Sequence, residues 1–160
     1  MLLKMQKSLK VMAMTTIIFA GSAVAENLAN LGNHAFANSS FSNGITLKIN
    51  GIRNSKGNVV VLIFDNKNAY DSYDYNNAVG YEAVRSKKGS LTVKFPYLTK
   101  GPLAITAFHD EDGNEDLNMN GEIPEEGYAI SGAKDASDLP TFKNASVSSE
   151  KVAIRMFYFD

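Results

Sequence analysis

The chain has 160 residues, 16 basic against 17 acidic, a formal net charge of −1 at pH 7, and neither cysteine nor tryptophan. Without cysteine there is no disulfide framework and no lipid-modified N-terminal cysteine, so the fold must stand on its apolar core. A near-neutral chain with no basic run has nothing with which to grip a phosphate backbone, which excludes nucleic acid as an expected partner.

Residues 1–25 carry Lys4, Lys7 and Lys10, an uncharged apolar stretch from Val11 to Ala20, and then Ala23-Val24-Ala25. This is the pattern of a cleavable export signal: a basic start, a short apolar segment and a small-x-small cleavage site. The apolar stretch is about half the ~20 residues a membrane-spanning helix needs. The expected product is therefore exported, periplasmic or extracellular, with no transmembrane anchor after cleavage. Residues 26–44 are rich in Asn, Ala, Ser and Gly without periodicity, which predicts a flexible N-terminal arm. One domain is expected over residues 45–160, a length able to bury a core.

From Ile45 onward, short apolar alternations are separated by turn residues. Ile45-Leu47-Ile49, Val59 to Phe64, Leu91-Val93-Phe95, Leu103 to Phe108, Tyr128 to Ser131, Ala145-Val147 and Val152 to Phe159 read as strands. About seven strands, with no helical window of twelve residues, predict an all-β antiparallel β-sandwich of immunoglobulin-like or transthyretin-like kind. The final strand is apolar on both faces from Met156 to Phe159, so a central place in a sheet is expected for it.

Two long segments interrupt the pattern, residues 65–85 and 109–128, and loops of this length in a compact sandwich are functional or mobile. The first holds Tyr70, Tyr73, Tyr75 and Tyr81, which predict either a stacking surface for a sugar or peptide or the apolar hem that pins a loop to a sheet. The second begins His109-Asp110-Glu111-Asp112-Gly113-Asn114-Glu115-Asp116-Leu117-Asn118. Oxygen-bearing side chains fall at alternate positions, and a chain curling around a hard cation presents alternate residues inward. The D-x-D-x-N order matches the first half of a calcium loop of the EF-hand type. The expected ligand set is Asp110, Asp112, Asn114, Asp116, Asn118 and Glu122, with Glu125 and Glu126 as alternatives for the closing carboxylate.

Two features depart from that loop pattern. Glu115 stands where the turn normally takes a glycine, and Gly121 stands where a carboxylate should close the shell. A solvated acidic turn is the plain alternative, since Asp, Asn and Gly favour turns through side-chain to backbone hydrogen bonds. Against it, no Lys or Arg lies between Lys100 and Lys134 to offset the cluster. Oxygen ligands with one nearby histidine argue for calcium rather than zinc or copper. His109 could serve as a general base beside Asp110 in a hydrolase, but the only other histidine is His34 and no G-x-S-x-G motif occurs.

The string GPLAITAFHDEDGNEDLNMNGEIPEEGYAISGAKD, followed by PTFKNASV and a terminal VAIRMFYF, resembles the bacterial domain-of-unknown-function 2141 family. The matching positions are Gly101, His109-Asp110-Glu111, Gly113-Asn114, Leu117, Ile123-Pro124, Glu126-Gly127-Tyr128, Pro140, Phe142 and Ala145. Asp112 stands where Asn is common in the family, Glu115 where Gly is common, and Lys134 to Ser137 is ordinary loop. The resemblance implies an exported β-sandwich in which His109, Pro124 and Tyr128 shape the loop, and it brings no activity. The reading that results is a non-enzymatic exported module with a structural calcium site in the 109–122 loop and an unknown partner. The alternatives are a carbohydrate- or peptide-binding module built on the 65–85 tyrosines and a hydrolase centred on His109 and Asp110.

Overall fold

The structure, a computed structural model, describes residues 40–159. The expected export signal, most of the expected arm and His34 lie outside the described residues. Strands form where β-branched and aromatic residues alternate or run together. β1 (Ile45–Ile52) buries Ile45, Leu47, Ile49 and Ile52 while Lys48 faces solvent. β2 (Asn58–Phe64) is buried on both faces, β3 (Gly80–Arg85) on alternate residues at most, and β4 (Gly89–Phe95) chiefly at Val93 and Phe95. All eight residues of β5 (Leu103–Asp110) are buried. The remaining strands are β6 (Met119–Asn120), β7 (Ile123–Pro124), β8 (Gly127–Ile130), β9 (Ser146–Val147) and β10 (Lys151–Arg155), and the helices are α1 (Lys67–Ser72) and α2 (Phe142–Ala145).

Two sheets pack face to face, one in the order β10-β1-β4 and the other β3-β2-β5-β8, with β9 pairing the start of β5. Pairing is antiparallel except between β1 and β10. Between the sheets, Leu47, Ile49, Val93, Phe95 and Ile154 meet Val59, Val61, Ile63, Ile105 and Ala107. A second apolar cluster covers the outer face of the larger sheet, where Val60, Leu62, Phe64, Ala104 and Phe108 lie under Tyr70 of α1 and Phe142 of α2. A strand covered on both faces must be apolar on both, which is why β2 and β5 read as continuous runs. The expected all-β, antiparallel architecture is the one the chain adopts.

Three expectations are corrected. Residues 40–44, placed in the flexible arm, belong to the packed structure: Phe41 is buried and donates its N–H to the Thr99 carbonyl at 2.8 Å. Burying a phenylalanine is worth roughly 2–3 kcal/mol, enough to hold so short a segment down. Residues 65–85 form α1, a 3-10 turn at residues 75–77 and then β3, rather than one long loop. Asn66 caps α1 by accepting the Ala69 N–H at 2.9 Å, and Tyr73 ends it with a φ of 49°.

The last strand is at the edge of the smaller sheet, and residues 156–159 leave it. The Phe157 N–H and carbonyl both bond Tyr128, so the chain crosses from the smaller sheet to the larger there. The apolar residues on both faces of this segment thus serve two different sheets. Met156 enters the core and Tyr158 turns toward the end of β5.

The turn before β2 fits tightly against that same end of β5. Gly57 has a φ of +57°, and a Cβ there would lie 1.7 Å from the Asp110 carbonyl oxygen. Gly57→Ala therefore combines left-handed strain with a backbone clash and should cost more than about 2 kcal/mol. Gly89→Ala, with a φ of +96° and open space around its Cβ, carries the strain alone. Urea midpoints should separate the two variants clearly, and equal losses would contradict this packing.

Candidate metal centre

β5 ends in His109 and Asp110, and strand alternation sends their side chains to opposite faces. His109 lies between the sheets with no exposed surface, while Asp110 is fully buried at the outer corner. The His109 Nε2–H donates to the Lys56 carbonyl at 2.9 Å, since a carbonyl can only accept. Nδ1 lies 2.9 Å from the Tyr158 hydroxyl and 3.3 Å from Glu111 Oε1. Both ring nitrogens are engaged and the ring reaches no cleft, so the geometry gives a substrate no access to a base at this position.

Beyond Asp110 the chain folds around its own carboxylates. Asp110 accepts the backbone N–H groups of Gly113 at 2.8 Å, Asn114 at 3.0 Å and Glu115 at 3.3 Å. Asp112 accepts the Asn114 N–H, and Asn114 in turn accepts that of Asp116 at 2.7 Å. These are the local bonds by which Asp and Asn make turns. Glu115, the residue at the expected glycine position, has a φ of 63°. The backbone takes the left-handed turn even though a side chain occupies it.

The carboxylate that meets the two aspartates is Glu126. Oxygens of Asp110, Asp112 and Glu126 lie within 4.8 Å of one another, with Asp110 and Glu126 buried and Asp112 exposed. Glu126 also fastens the loop at both ends, accepting the Glu111 N–H at 2.7 Å and the Asn118 N–H at 3.2 Å. Its position follows from sheet register. His109 pairs with Gly127 between β5 and β8, and one further antiparallel step sets Glu126 opposite Asp110. Glu122, expected to close the shell, is instead exposed in the turn between β6 and β7.

The other expected ligands surround the group. The Asn118 amide donates to Asp112 at 2.8 Å and accepts from the Asn114 amide at 2.7 Å, and Asn114 also donates to Asp112 at 3.2 Å. The carboxyl of Asp116 is raised from its ordinary value, first by burial and then by the charge of Asp110. Glu126 is raised too: burial and the charges of Asp112 and Asp110 outweigh its two backbone hydrogen bonds. Glu111 behaves oppositely. Burial works against its charge, but Arg53 at 2.5 Å and Asn54 hold its carboxyl below the usual range. The Arg53 guanidinium is thus engaged with Glu111. At an effective dielectric of ~20, two full charges 4–5 Å apart repel by about 3–4 kcal/mol, and three such carboxylates make a group whose chemistry suits a cation.

The tyrosines divide. Tyr70 is buried and donates its hydroxyl to the Pro140 carbonyl at 2.7 Å, with Tyr73 stacked on it at 6.1 Å. Tyr75 is partly buried against the outer cluster, whereas Tyr81 is exposed on β3. The four do not make one solvent-facing surface. Pro124 is buried in β7, and Tyr128 in β8 donates its hydroxyl to the Ala136 carbonyl.

The chain belongs to the bacterial family described as "Uncharacterized protein conserved in bacteria (DUF2141)", whose model matches residues 47–155, from within β1 to the end of β10. No curated protein and no solved structure matches it. Among the described residues no helix is long and apolar enough to cross a membrane.

The left-handed turn at Glu115 is open to a direct test. A non-glycine residue there costs about 1–2 kcal/mol, and its carboxylate adds to a crowded negative loop. Glu115→Gly should raise the melting temperature of the metal-free protein by a few degrees. A lower melting temperature would contradict the observed backbone.

Proposed function

We propose that this protein is an exported, non-enzymatic β-sandwich module whose 109–126 loop is ordered by one calcium ion. Asp110, Asp112 and Glu126 hold the ion, with Asn118 and Asn114 beside them. The observation that carries this reading is the convergence of three carboxylates, two of them buried, from the end of β5, the loop after it and the bend just before β8. Burying carboxylate charge is costly unless it is matched, and backbone N–H groups supply only part of the match. Calcium takes hard oxygen ligands in flexible geometry and tolerates a carboxylate-rich shell, whereas magnesium demands a stricter octahedron and retains its waters. Zinc and copper are disfavoured because the chain has no cysteine and the His109 nitrogens are already bonded.

The export signal read in residues 1–25 supports a setting outside the cytoplasm, where millimolar calcium suffices to fill a weak site. The chemistry at His109 favours a fastening role, tying the Lys56 turn to Tyr158 beneath the loop.

A calcium titration followed by thermal melting tests the reading. Calcium at a hundred times its dissociation constant should stabilise the fold by about 2.7 kcal/mol. Glu126→Gln should abolish most of that gain, and Glu122→Gln should leave it intact. No shift at millimolar calcium, or a loss confined to Glu122→Gln, would sink the proposed ligand set.

The pH dependence has a definite sign. The folded pKa of Glu126 is raised above its ordinary value of 4.5, so ionising this group weakens the metal-free fold. The penalty is absent below the ordinary value and complete above the raised one. Melting temperatures in chelator should therefore show this penalty appearing as pH rises through that window. The increment given by calcium should grow over the same window, because the ion and the proton compete for one carboxylate. A calcium increment independent of pH from 4 to 8 would count against Glu126 as a ligand.

A further inference from the structure

The smaller sheet is built from segments far apart in the sequence, and their pairing gathers basic residues that no local run reveals. β1 sits between β4 and β10. Residues directly opposite each other on paired strands share a face. Thr46 lies between Lys94 and Lys151, Lys48 between Thr92 and Ala153, and Asn50 between Ser90 and Arg155. These positions alternate with Leu47, Ile49, Val93, Phe95 and Ile154 of the core, so they point away from it. Lys48, Lys94, Lys151 and Arg155 are exposed, and none of the three strands contains Asp or Glu. Lys87 and Lys88, exposed in the turn that leads into β4, extend the positive charge past one end of the face.

Among the described residues none of these cations pairs with a carboxylate. Glu150, the residue before β10, is taken up by Ser42, whose N–H and hydroxyl donate to it at 2.6 and 2.8 Å. The acidic corner lies on the opposite side of the sandwich, because Asp110 shares the outward side of β5 with Phe108 of the outer cluster. A chain with more acidic than basic residues thus carries its charge on two opposed sides, one of them free of carboxylates. We propose that the basic face docks the protein on an anionic lipid bilayer, with the acidic corner turned away from the surface. A broad sheet face of lysines, each a point charge on a flexible stem, suits a plane of lipid phosphates. Single-stranded nucleic acid would call for aromatic side chains on which bases stack, and the Thr, Ser, Asn and Ala residues between the cations supply none. Duplex DNA would call for an element that enters a groove, which a sheet face does not offer.

Cosedimentation with vesicles tests the proposal, using phosphatidylglycerol mixed with phosphatidylcholine in one arm and phosphatidylcholine alone in the other, in chelator and at low salt. Protein purified as its cell processes it should sediment with the first, stay in solution with the second, and be released as salt is raised. Each charge close to such a surface contributes about fivefold in affinity, so Lys48→Gln, Lys94→Gln and Lys151→Gln should each cost about fivefold and the triple variant about a hundredfold. All three side chains are exposed, so the variants should melt with the parent protein. Lys67→Gln, Lys134→Gln and Lys143→Gln together change the net charge equally, on α1, on α2 and after β8, and should leave binding almost unchanged. Equal losses in the two triple variants would overturn the proposal, as would undiminished binding in the first, the result expected for docking through residues 1–25. Binding to dextran sulfate but not to vesicles would assign the face to a polymer and overturn the bilayer. Binding that requires calcium and disappears in Glu126→Gln would place the contact at the acidic corner and overturn it too. The chelator arm keeps this proposal separate from the ion, whose own test is the calcium shift in melting temperature.

Discussion

The corner of the sandwich where β5 meets β8 is governed by the cost of burying carboxylates. Asp110 and Glu126 are set opposite each other by the register of two paired strands, and both are buried. An ionised carboxylate out of water must find donors or a cation. The chain answers first with its own backbone: Asp110 gathers three N–H groups of the following loop, and Glu126 takes one from each side of that loop. The loop's shape is therefore a consequence of where the charges sit. Burial first, and then the charges of Asp112 and Asp110, raise the Glu126 carboxyl despite those bonds.

The same strand end supports the site from beneath. His109 points inward and ties the Lys56 turn to Tyr158, while Tyr158 also accepts the Arg53 N–H at 3.1 Å. The Arg53 guanidinium lies over the Tyr158 ring and pairs with Glu111. These contacts join the turn before β2, the segment after β10 and the first residue beyond β5 into one support. The carboxylate group sits at the end of β5, and Leu117 of the acidic loop packs against the outer apolar cluster that covers the middle of the same sheet.

Much of this was legible in the chain because it depends on spacing within a single segment. Alternation at Ile45-Leu47-Ile49 and the unbroken run of β2 reveal strands and their burial. The Asp110-Asp112-Asn114 spacing reveals a loop curled around its own oxygens. What was not legible depends on pairing between distant segments. Glu126 rather than Glu122 joins the aspartates because of the β5–β8 register, which no local pattern states. β3 was hidden because an edge strand with one covered face needs few apolar residues, and Val84 alone among Tyr, Glu and Arg is a weak signal. The terminal segment misled for a different reason: apolar residues on both faces imply two covered faces, and here the two covers belong to different sheets.

The proposed calcium site requires Asp110, Asp112 and Glu126 to hold one cation together. A crystal structure of the protein grown in calcium, with anomalous scattering recorded for the ion, tests it most directly. One ion with oxygens of all three residues at about 2.3–2.6 Å is the expected result. A loop with no ion, its carboxylates bonded only to backbone N–H groups, or an ion held by Glu122 without Glu126, would contradict it.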